Sequence, residues 1–254
     1  MYLLDIDADL IFESSLRMHP APSFYLPNDQ SRGPEISLDE ETSKHVLQVL
    51  RMKPGEEIRL TNGAGLSLRA TIKPSAIKKC KVTVMESILQ PHPGRKISIG
   101  ISLLKNTGRF EWFLEKATEI GVNELIPLIC DRTEKHKLRL DRMKSILVSA
   151  MLQSQQSWLP EISEPKEFKA LVSESAHQQK FIAHCERPDP LNLSDLVNSN
   201  LSTQIILIGP EGDFTGEELA WAFSHHFIPV SLGENRLRSE TAGVVAATIM
   251  KIPS

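Results

Sequence analysis

Near the carboxyl terminus two short segments concentrate residue types that hold ligands. Gly209-Pro210-Glu211-Gly212-Asp213-Phe214 follows the apolar run Ile205 to Ile208, and Thr215 with Glu218 three residues later forms a capping-box pattern that opens a helix. Glycines in such a turn let backbone N–H and C=O groups come close to a ligand, although the same spacing serves a plain tight turn. The second segment, Leu232-Gly233-Glu234-Asn235-Arg236-Leu237-Arg238-Ser239-Glu240-Thr241-Ala242, leads into an almost wholly apolar helix. Its two arginines, two carboxylates and two hydroxyls must find partners, because unpaired buried charge is costly. Neither segment is a GxGxxG dinucleotide fingerprint or a GxxxxGK[ST] phosphate loop, and no HExxH, GxSxG or CxxC occurs.

Turns of this kind act at the carboxyl ends of strands in an open parallel sheet, so the loops of interest follow Leu104, Cys130, Ile208 and Leu232. The pattern from Arg95 onward supplies such a sheet. Strands are predicted at Ile97–Leu104, Leu125–Cys130, Phe181–His184, Ile205–Ile208 and Ile228–Leu232. Between them, Phe110, Phe113, Leu114, Ala117 and Ile120 mark a helical face that Gly121 ends, and further helices are predicted at Leu140–Ser157, Gly216–His226 and Glu240–Lys251. Short apolar strands between helices imply a mainly parallel sheet covered on both faces. The earlier part differs. Ser37 and Glu40 suggest a capping box opening a helix with Val46, Leu47 and Leu50 on its apolar stripe. Then Ile58, Leu60, Leu66, Leu68, Ala70, Ile72, Cys80, Val82 and Val84 alternate with polar residues, predicting a small half-buried β-sheet or barrel that turns Arg59, Arg69, Lys73, Lys79 and Lys81 outward. The QPHPG segment at 90–94 suits a linker, residues 1–17 fit neither pattern, and Met18 is a candidate alternative start.

At 254 residues, 41% hydrophobic and 24% charged, the chain has room for two modest domains and is not collagen-like, mucin-like or wholly disordered. No apolar stretch approaches the ~20 residues of a membrane-spanning helix. The Asp-rich start MYLLDIDADL is no secretory or transit signal, and Cys80, Cys130 and Cys185 are too widely spaced for a disulfide framework or a zinc site. A cytoplasmic protein with reduced thiols is expected. The net charge of −3 hides an uneven distribution. Residues 69–109 carry nine basic side chains against Glu86 alone, and Arg132, Lys135, Lys137, Arg139, Arg142 and Lys144 are offset only by Glu134 and Asp141. Such blocks suit a phosphate backbone, or equally a solvated surface.

Four ordered blocks, HVLQVLRMKPGEEIRL, RFEWFLEKATEIGVNELIPLICDRTEKHKL, LIGPEGDFTGEEL and SLGENRLRSETAG, together resemble the RsmE family, the 16S ribosomal RNA uridine-N3 methyltransferases, over nearly everything after Met18. The resemblance implies an α/β SPOUT-type knotted parallel sheet with helices on both faces in residues 93–254. It implies a PUA-like RNA-binding β-barrel in residues 18–92, with residues 1–17 as an extension. It further implies a homodimer that uses S-adenosyl-L-methionine on 16S rRNA, within the small ribosomal subunit, with no metal and no membrane. Carried over onto this sequence, Leu207, Ile208, Gly209, Pro210, Glu211 and Gly212 look like one cofactor loop, and Leu232, Gly233, Leu237, Arg238, Thr241 and Ala242 like the other. Backbone groups there would read an adenine edge, while Leu207, Leu232 and Leu237 could sandwich its ring or simply pack in the core.

Methyl transfer is an in-line displacement, so alignment of donor and acceptor dominates. Loss of the N3 proton of uracil spreads negative charge over O2 and O4, which a cation would stabilise. Arg238 is the candidate cation. Glu119 or Glu240 is the candidate for orienting or proton-accepting work, or else a helix-surface carboxylate and a helix-dipole partner respectively. Arg51, Lys105, Arg109, Arg132 and Lys137 would contact RNA phosphates, with the target uridine extruded into the pocket. The chain departs from frequent family patterns at Lys105-Asn106-Thr107-Gly108-Arg109 (for KGDR), Cys130-Asp131-Arg132-Thr133 (for SERC), Gln153-Ser154-Gln155-Gln156 (for QSGR) and Asp213 (for glycine). Two other readings stay open: a non-catalytic RNA-binding ribosome assembly factor, and a SPOUT methyltransferase of another RNA position.

Overall fold

The computed structural model describes residues 21–26, 33–74, 79–184 and 191–252. The extension 1–17, Met18 and Cys185 lie outside the described residues. Contacts divide the chain into two compact units, one reaching Thr61 and including Ser67–Ile88, the other made of Asn62–Leu66 and the chain from Leu89 onward.

The first unit is a five-stranded sheet of β1 (Ser23–Tyr25), β2 (Glu35–Ser37), β3 (Glu57–Thr61), β4 (Leu66–Ile72) and β5 (Lys81–Leu89), in the order β1-β3-β4-β5-β2. The alternation read from the sequence is the burial pattern: Ile58, Leu60, Leu68, Ala70, Ile72, Cys80 and Val82 are all buried. Two of the cations expected to face outward are paired, Lys73 with Glu35 and Arg69 with Glu86 at 3.5 Å. The helix α1 (Glu40–Lys44) starts later than the Ser37 pattern suggested. Ser37 ends β2, and the cap is Asp39, whose Oδ1 accepts from the Thr42 N–H at 2.7 Å. A carboxylate at this place also meets the positive end of the helix dipole. The helix widens into a π-turn over His45–Val49, and Arg51, at φ 55°, ends it in the left-handed region.

The second unit is an eight-stranded sheet in which every recorded pairing is parallel. Its strands are β6 (Lys96–Ser102), β7 (Glu124–Ile129), β8 (Glu161–Ile162), β9 (Lys166–Glu167), β10 (Gln179–Ala183), β11 (Leu191–Asn192), β12 (Thr203–Ile208) and β13 (Ile228–Ser231). They run in the order β11-β13-β10-β12-β6-β7-β8, with β9 also on β7. The period of two divides the strand residues between two cores. Ile97, Ile99, Ile101, Phe181, Ile206 and Ile208 face α2 (Thr107–Ile120), α3 (Leu140–Gln153), α5 (Leu193–Leu196) and α7 (Ser239–Lys251). Ile126, Leu128, Ile182, Ile205 and Leu207 face α4 (Phe168–Glu174) and α6 (Gly216–Ser224). Both faces are thus covered, as parallel sheets require.

Gly121 ends α2 at φ 89°, as the sequence pattern implied. The helix expected to run to Ser157 stops at Gln153, because Gln155 adopts φ 57° and turns the chain. The next residue, Gln156, reaches back to cap α2, its Nε2 donating to Thr118 O at 2.8 Å and Glu119 O at 3.0 Å. The two-residue strands β8, β9 and β11 and the short helices α4 and α5 are too brief for periodicity to announce. No helix among the described residues is long and apolar enough to cross a membrane.

The contact of α2 with α7 needs a residue without a side chain. A Cβ at Gly243 would stand 2.5 Å from Phe113 Cε2, a fully buried ring with no room to yield. Gly243→Ala is therefore expected to destabilise the protein by about 1–3 kcal/mol through overpacking, against almost no effect of Thr248→Ala on the exposed side of the same helix. Thermal unfolding checks this, at about 2–4 °C per kcal/mol for a chain of this size; unchanged melting of Gly243→Ala would refute the tight contact.

Candidate functional site

At the carboxyl end of the second unit's sheet, β12 and β13 are not neighbours, because β10 lies between them. The turn after β12 and the segment after β13 therefore start two strand spacings apart, about 10 Å. Between them opens a cleft of about 870 Å³. Ile208, Val230, Leu232, Leu237 and Ala242 give it apolar walls, while Gly209–Glu211 and Gly233–Asn235 bring backbone to its lining. Arg109, from the first turn of α2, closes one side.

The Gly209 turn is tightly specified. Asp213, at φ 63°, donates its N–H to Pro210 O at 3.0 Å, and its own Oδ1 accepts from the Phe214 N–H at 2.8 Å. A Cβ at Gly209 would meet the Phe214 ring at 3.2 Å. The capping box expected from the sequence is present in full: Thr215 Oγ1 accepts from the Glu218 N–H, and Glu218 Oε2 accepts from the Thr215 N–H at 2.8 Å. Glu218 is nevertheless 1% exposed, and its second oxygen leaves the helix to accept the Asp131 N–H at 2.9 Å.

Of the cofactor-loop residues expected from the sequence, Ile208, Gly209, Pro210, Glu211, Leu232, Gly233, Leu237, Arg238 and Ala242 line the cleft. Gly212 and Thr241 do not. Leu207 requires a correction: its side chain lies in the core on the opposite face of the sheet, against Gly100, because alternation along β12 sends it away from Ile208. It cannot stack on a ring held in the cleft. Glu119 also does not reach the cleft. It sits on the last turn of α2, roughly 15 Å along the axis from Arg109, with Lys116 Nζ 2.9 Å away. Glu240 is 7% exposed and holds Arg109, Oε1 to Nε 3.6 Å, from the first turn of α7.

The proposed phosphate contacts differ among themselves. Lys105 is ion-paired with Glu134 at 2.8 Å, which raises its pKa, and Arg132 donates Nη1 to Gly212 O at 2.6 Å. Arg132 is therefore engaged by the Gly209–Phe214 turn itself. Lys137 and Arg51 are exposed. The sequence reading missed His184 and Asn192, which line the cleft from the ends of β10 and β11. The signal was available, since the strand Phe181–His184 was recognised and its carboxyl end follows the same rule as the others. Among the described residues no group of three His, Cys, Asp or Glu side chains is placed to hold a metal ion.

Cys130 directly follows β7 and is 3% exposed, in the core with Phe168 and Phe214. Burial, with the Glu218 charge next in weight, pushes its thiol far up, and burial likewise raises Cys80. Since the thiolate is the reactive form, neither should be alkylated by iodoacetamide in the native protein at pH 8, while both react after denaturation. Peptide mass spectrometry reads this directly, and native labelling of Cys130 at the rate of a free thiol would contradict its burial.

Residues 90–251 match the family model of an RNA methyltransferase domain, and residues 38–84 that of an RNA methyltransferase PUA domain. Ribosomal RNA small subunit methyltransferase E of Synechocystis sp. is 34% identical over 210 residues, 80% of this chain and 68% of that protein. A crystal structure of a probable rRNA-methyltransferase from Porphyromonas gingivalis is similar with a TM-score of 0.81 at 34% identity, covering 89% of this chain and 95% of that one. Ribosomal RNA small subunit methyltransferase E from Neisseria gonorrhoeae, crystallised with S-adenosyl methionine, has a TM-score of 0.81 at 27% identity, with 91% and 96% covered. With one family model spanning most of the chain and a second matching its β unit, this protein belongs to the RsmE family of ribosomal RNA small subunit methyltransferases.

Proposed function

We propose that the protein methylates N3 of a uridine in 16S rRNA, with S-adenosyl-L-methionine held in the cleft between the turns after β12 and β13. The observation that carries this reading is the meeting of both glycine-bearing segments on one cleft with apolar walls. The chemistry of the lining fits the cofactor. Backbone N–H and C=O groups suit the edge of an adenine, Leu232 and Leu237 suit its faces, and Glu211, Asp213 and Glu234 suit the cationic part. The family relationship, and a relative crystallised with S-adenosyl methionine, support the same reading.

When bound, the cofactor supplies an electrophilic methyl group. The protein's residues supply the rest. The two turns fix one reactant, so that the uracil need only be brought into line with it. As the N3 proton passes to solvent water, negative charge spreads over O2 and O4 of the base, and the exposed Arg238 guanidinium at the start of α7 stabilises it. Glu240 orients rather than touches: it holds Arg109 at the rim, where the arginine meets RNA. Glu119 has no part in this single-chain arrangement. Lys137 and Arg51 serve the phosphates, and Lys105 joins them once Glu134 is displaced.

We further propose that residues 18–92 form a PUA-like barrel that binds RNA, and residues 93–254 a SPOUT domain whose carboxyl-terminal loops form a trefoil knot. The active form is a homodimer acting on the small ribosomal subunit. The boundary between the two matched family models, after residue 84 and before residue 90, is in keeping with that division.

Two measurements test the reading. Titration calorimetry should show S-adenosylmethionine binding to the wild-type protein and its loss in Leu237→Asp and Gly209→Val, where the new side chain meets the cleft or Phe214. Small subunits from a strain lacking this activity, incubated with enzyme and cofactor, should gain 3-methyluridine in nucleoside mass spectrometry, with Arg238→Ala slower by about 10²-fold. Tight RNA binding without methylation would instead support the assembly-factor reading, and a methyl group on another nucleotide a different specificity.

A further inference from the structure

The Gly209–Phe214 turn, which brings backbone to the cleft, is held from within and from outside. Within it, the Asp213 N–H donates to Pro210 O and the Phe214 N–H donates to Asp213 Oδ1. Glu211 and Gly212 at its tip are exposed. Further restraints come from outside, from the packing of the buried Phe214 ring on Phe168 and from the turn Cys130–Thr133 that follows β7. Arg132 donates Nη1 to Gly212 O at 2.6 Å and lies 3.4 Å from Phe214 O. Its aliphatic stem covers Gly212 so closely that a Cβ there would stand 3.3 Å from Arg132 Cδ. Thr215 Oγ1 stands 3.1 Å from Asp131 Oδ2, and the buried Glu218 takes the Asp131 N–H on one oxygen and the Thr215 N–H on the other.

The anchoring turn is itself held. The Cys130 N–H donates to Thr133 Oγ1 at 2.8 Å, the Thr133 N–H to Cys130 O at 2.9 Å, and Thr133 Oγ1 shares a 2.8 Å hydrogen bond with Ser102 Oγ at the end of β6. Hydrogen bonds on either side of the short Cys130–Thr133 turn thus tie the end of β6 to the β12 turn. Neither Arg132 nor Glu218 lines the cleft.

We infer that Arg132 and Glu218 are positioning residues that set the conformation of the cofactor turn from outside the cleft, Arg132 by holding Gly212 O and Glu218 by joining Thr215 to Asp131. This assigns Arg132 a role other than the phosphate contact expected from its place in a basic run. The guanidinium and the buried carboxylate do not pair with each other; each spends its charge on backbone groups of a turn, where charge-assisted hydrogen bonds hold geometry firmly. The inference rests on the reading that the cleft holds S-adenosylmethionine.

The test uses the full chain with Arg132→Ala, Arg132→Lys, Glu218→Gln and, for comparison, Lys137→Ala. Calorimetry with S-adenosylhomocysteine, binding of 16S rRNA without cofactor, and steady-state kinetics are measured on each. Arg132→Ala and Glu218→Gln are expected to weaken S-adenosylhomocysteine binding about tenfold, the scale of one lost charge-assisted hydrogen bond. KM for the cofactor should rise more than kcat falls, and rRNA affinity should stay at the wild-type value. Arg132→Lys, which keeps a donor in reach of Gly212 O, should recover most of the loss. Lys137→Ala should show the reverse pattern, weaker rRNA binding with unchanged cofactor affinity. If Glu218→Gln fails to fold, Arg132→Ala decides, since that side chain is exposed. Wild-type cofactor affinity in Arg132→Ala, together with rRNA binding weakened as in Lys137→Ala, would overturn the inference and make Arg132 a phosphate contact. Failure of the wild-type protein itself to bind S-adenosylhomocysteine would overturn the cofactor reading and this inference with it.

Discussion

The placement of β10 between β12 and β13 is the constraint on which the site depends. Parallel pairing brings the carboxyl ends of all three strands to the same edge of the sheet, and the intervening strand holds the two glycine-bearing segments about two strand spacings apart. That separation leaves room for a flat ligand between them, whereas neighbouring strands would bring the two segments into contact. The sheet in turn depends on cover from both sides, since parallel strands with a bare face would leave a wide apolar surface in water. The two cores behind β12 are thus part of the site: Leu207 and Ile205 fix the strand on one face, Ile206 and Ile208 on the other.

Charge around the cleft is handled in two ways. The buried Glu240 pairs with the more exposed Arg109, and surface ion pairs such as Lys105 with Glu134 can be exchanged for other partners at little cost. The buried Glu218 is treated differently. Its oxygens are satisfied by backbone N–H groups of two separate turns, so its desolvation is offset by bonds that also define backbone shape. The carboxyl end of α2 is capped by a neutral group, the side-chain amide of Gln156. A neutral amide donates to the two carbonyls and leaves no charge to be compensated.

Much of this was legible in the order of residues. The Thr215 and Glu218 pair announced its capping box, Gly121 its helix end, and the alternation from Ile58 to Val82 its half-buried sheet. These are local features, set by neighbours within a few positions, and so they are written in short windows. Ser37 was misleading because the serine belongs to a strand, and the carboxylate two positions on takes the cap. Leu207 was misleading for a different reason. Its place in the motif is next to residues that line the cleft, but the period of two along β12 turns it to the far face.

The sequence alone determined the longer strands of the parallel sheet, its main helices and the glycine turns, and which family those segments belong to, because each depends on local conformational preference or on ordered motifs. Tertiary structure decided which of the nominated side chains meet. Glu119 and Arg109 share one helix yet stand at opposite ends of it, while Arg132 and Gly212, eighty positions apart, are joined by a hydrogen bond. Contacts of the second kind come from strand order, which brings distant turns to one edge of a sheet, and no short stretch of sequence encodes that order.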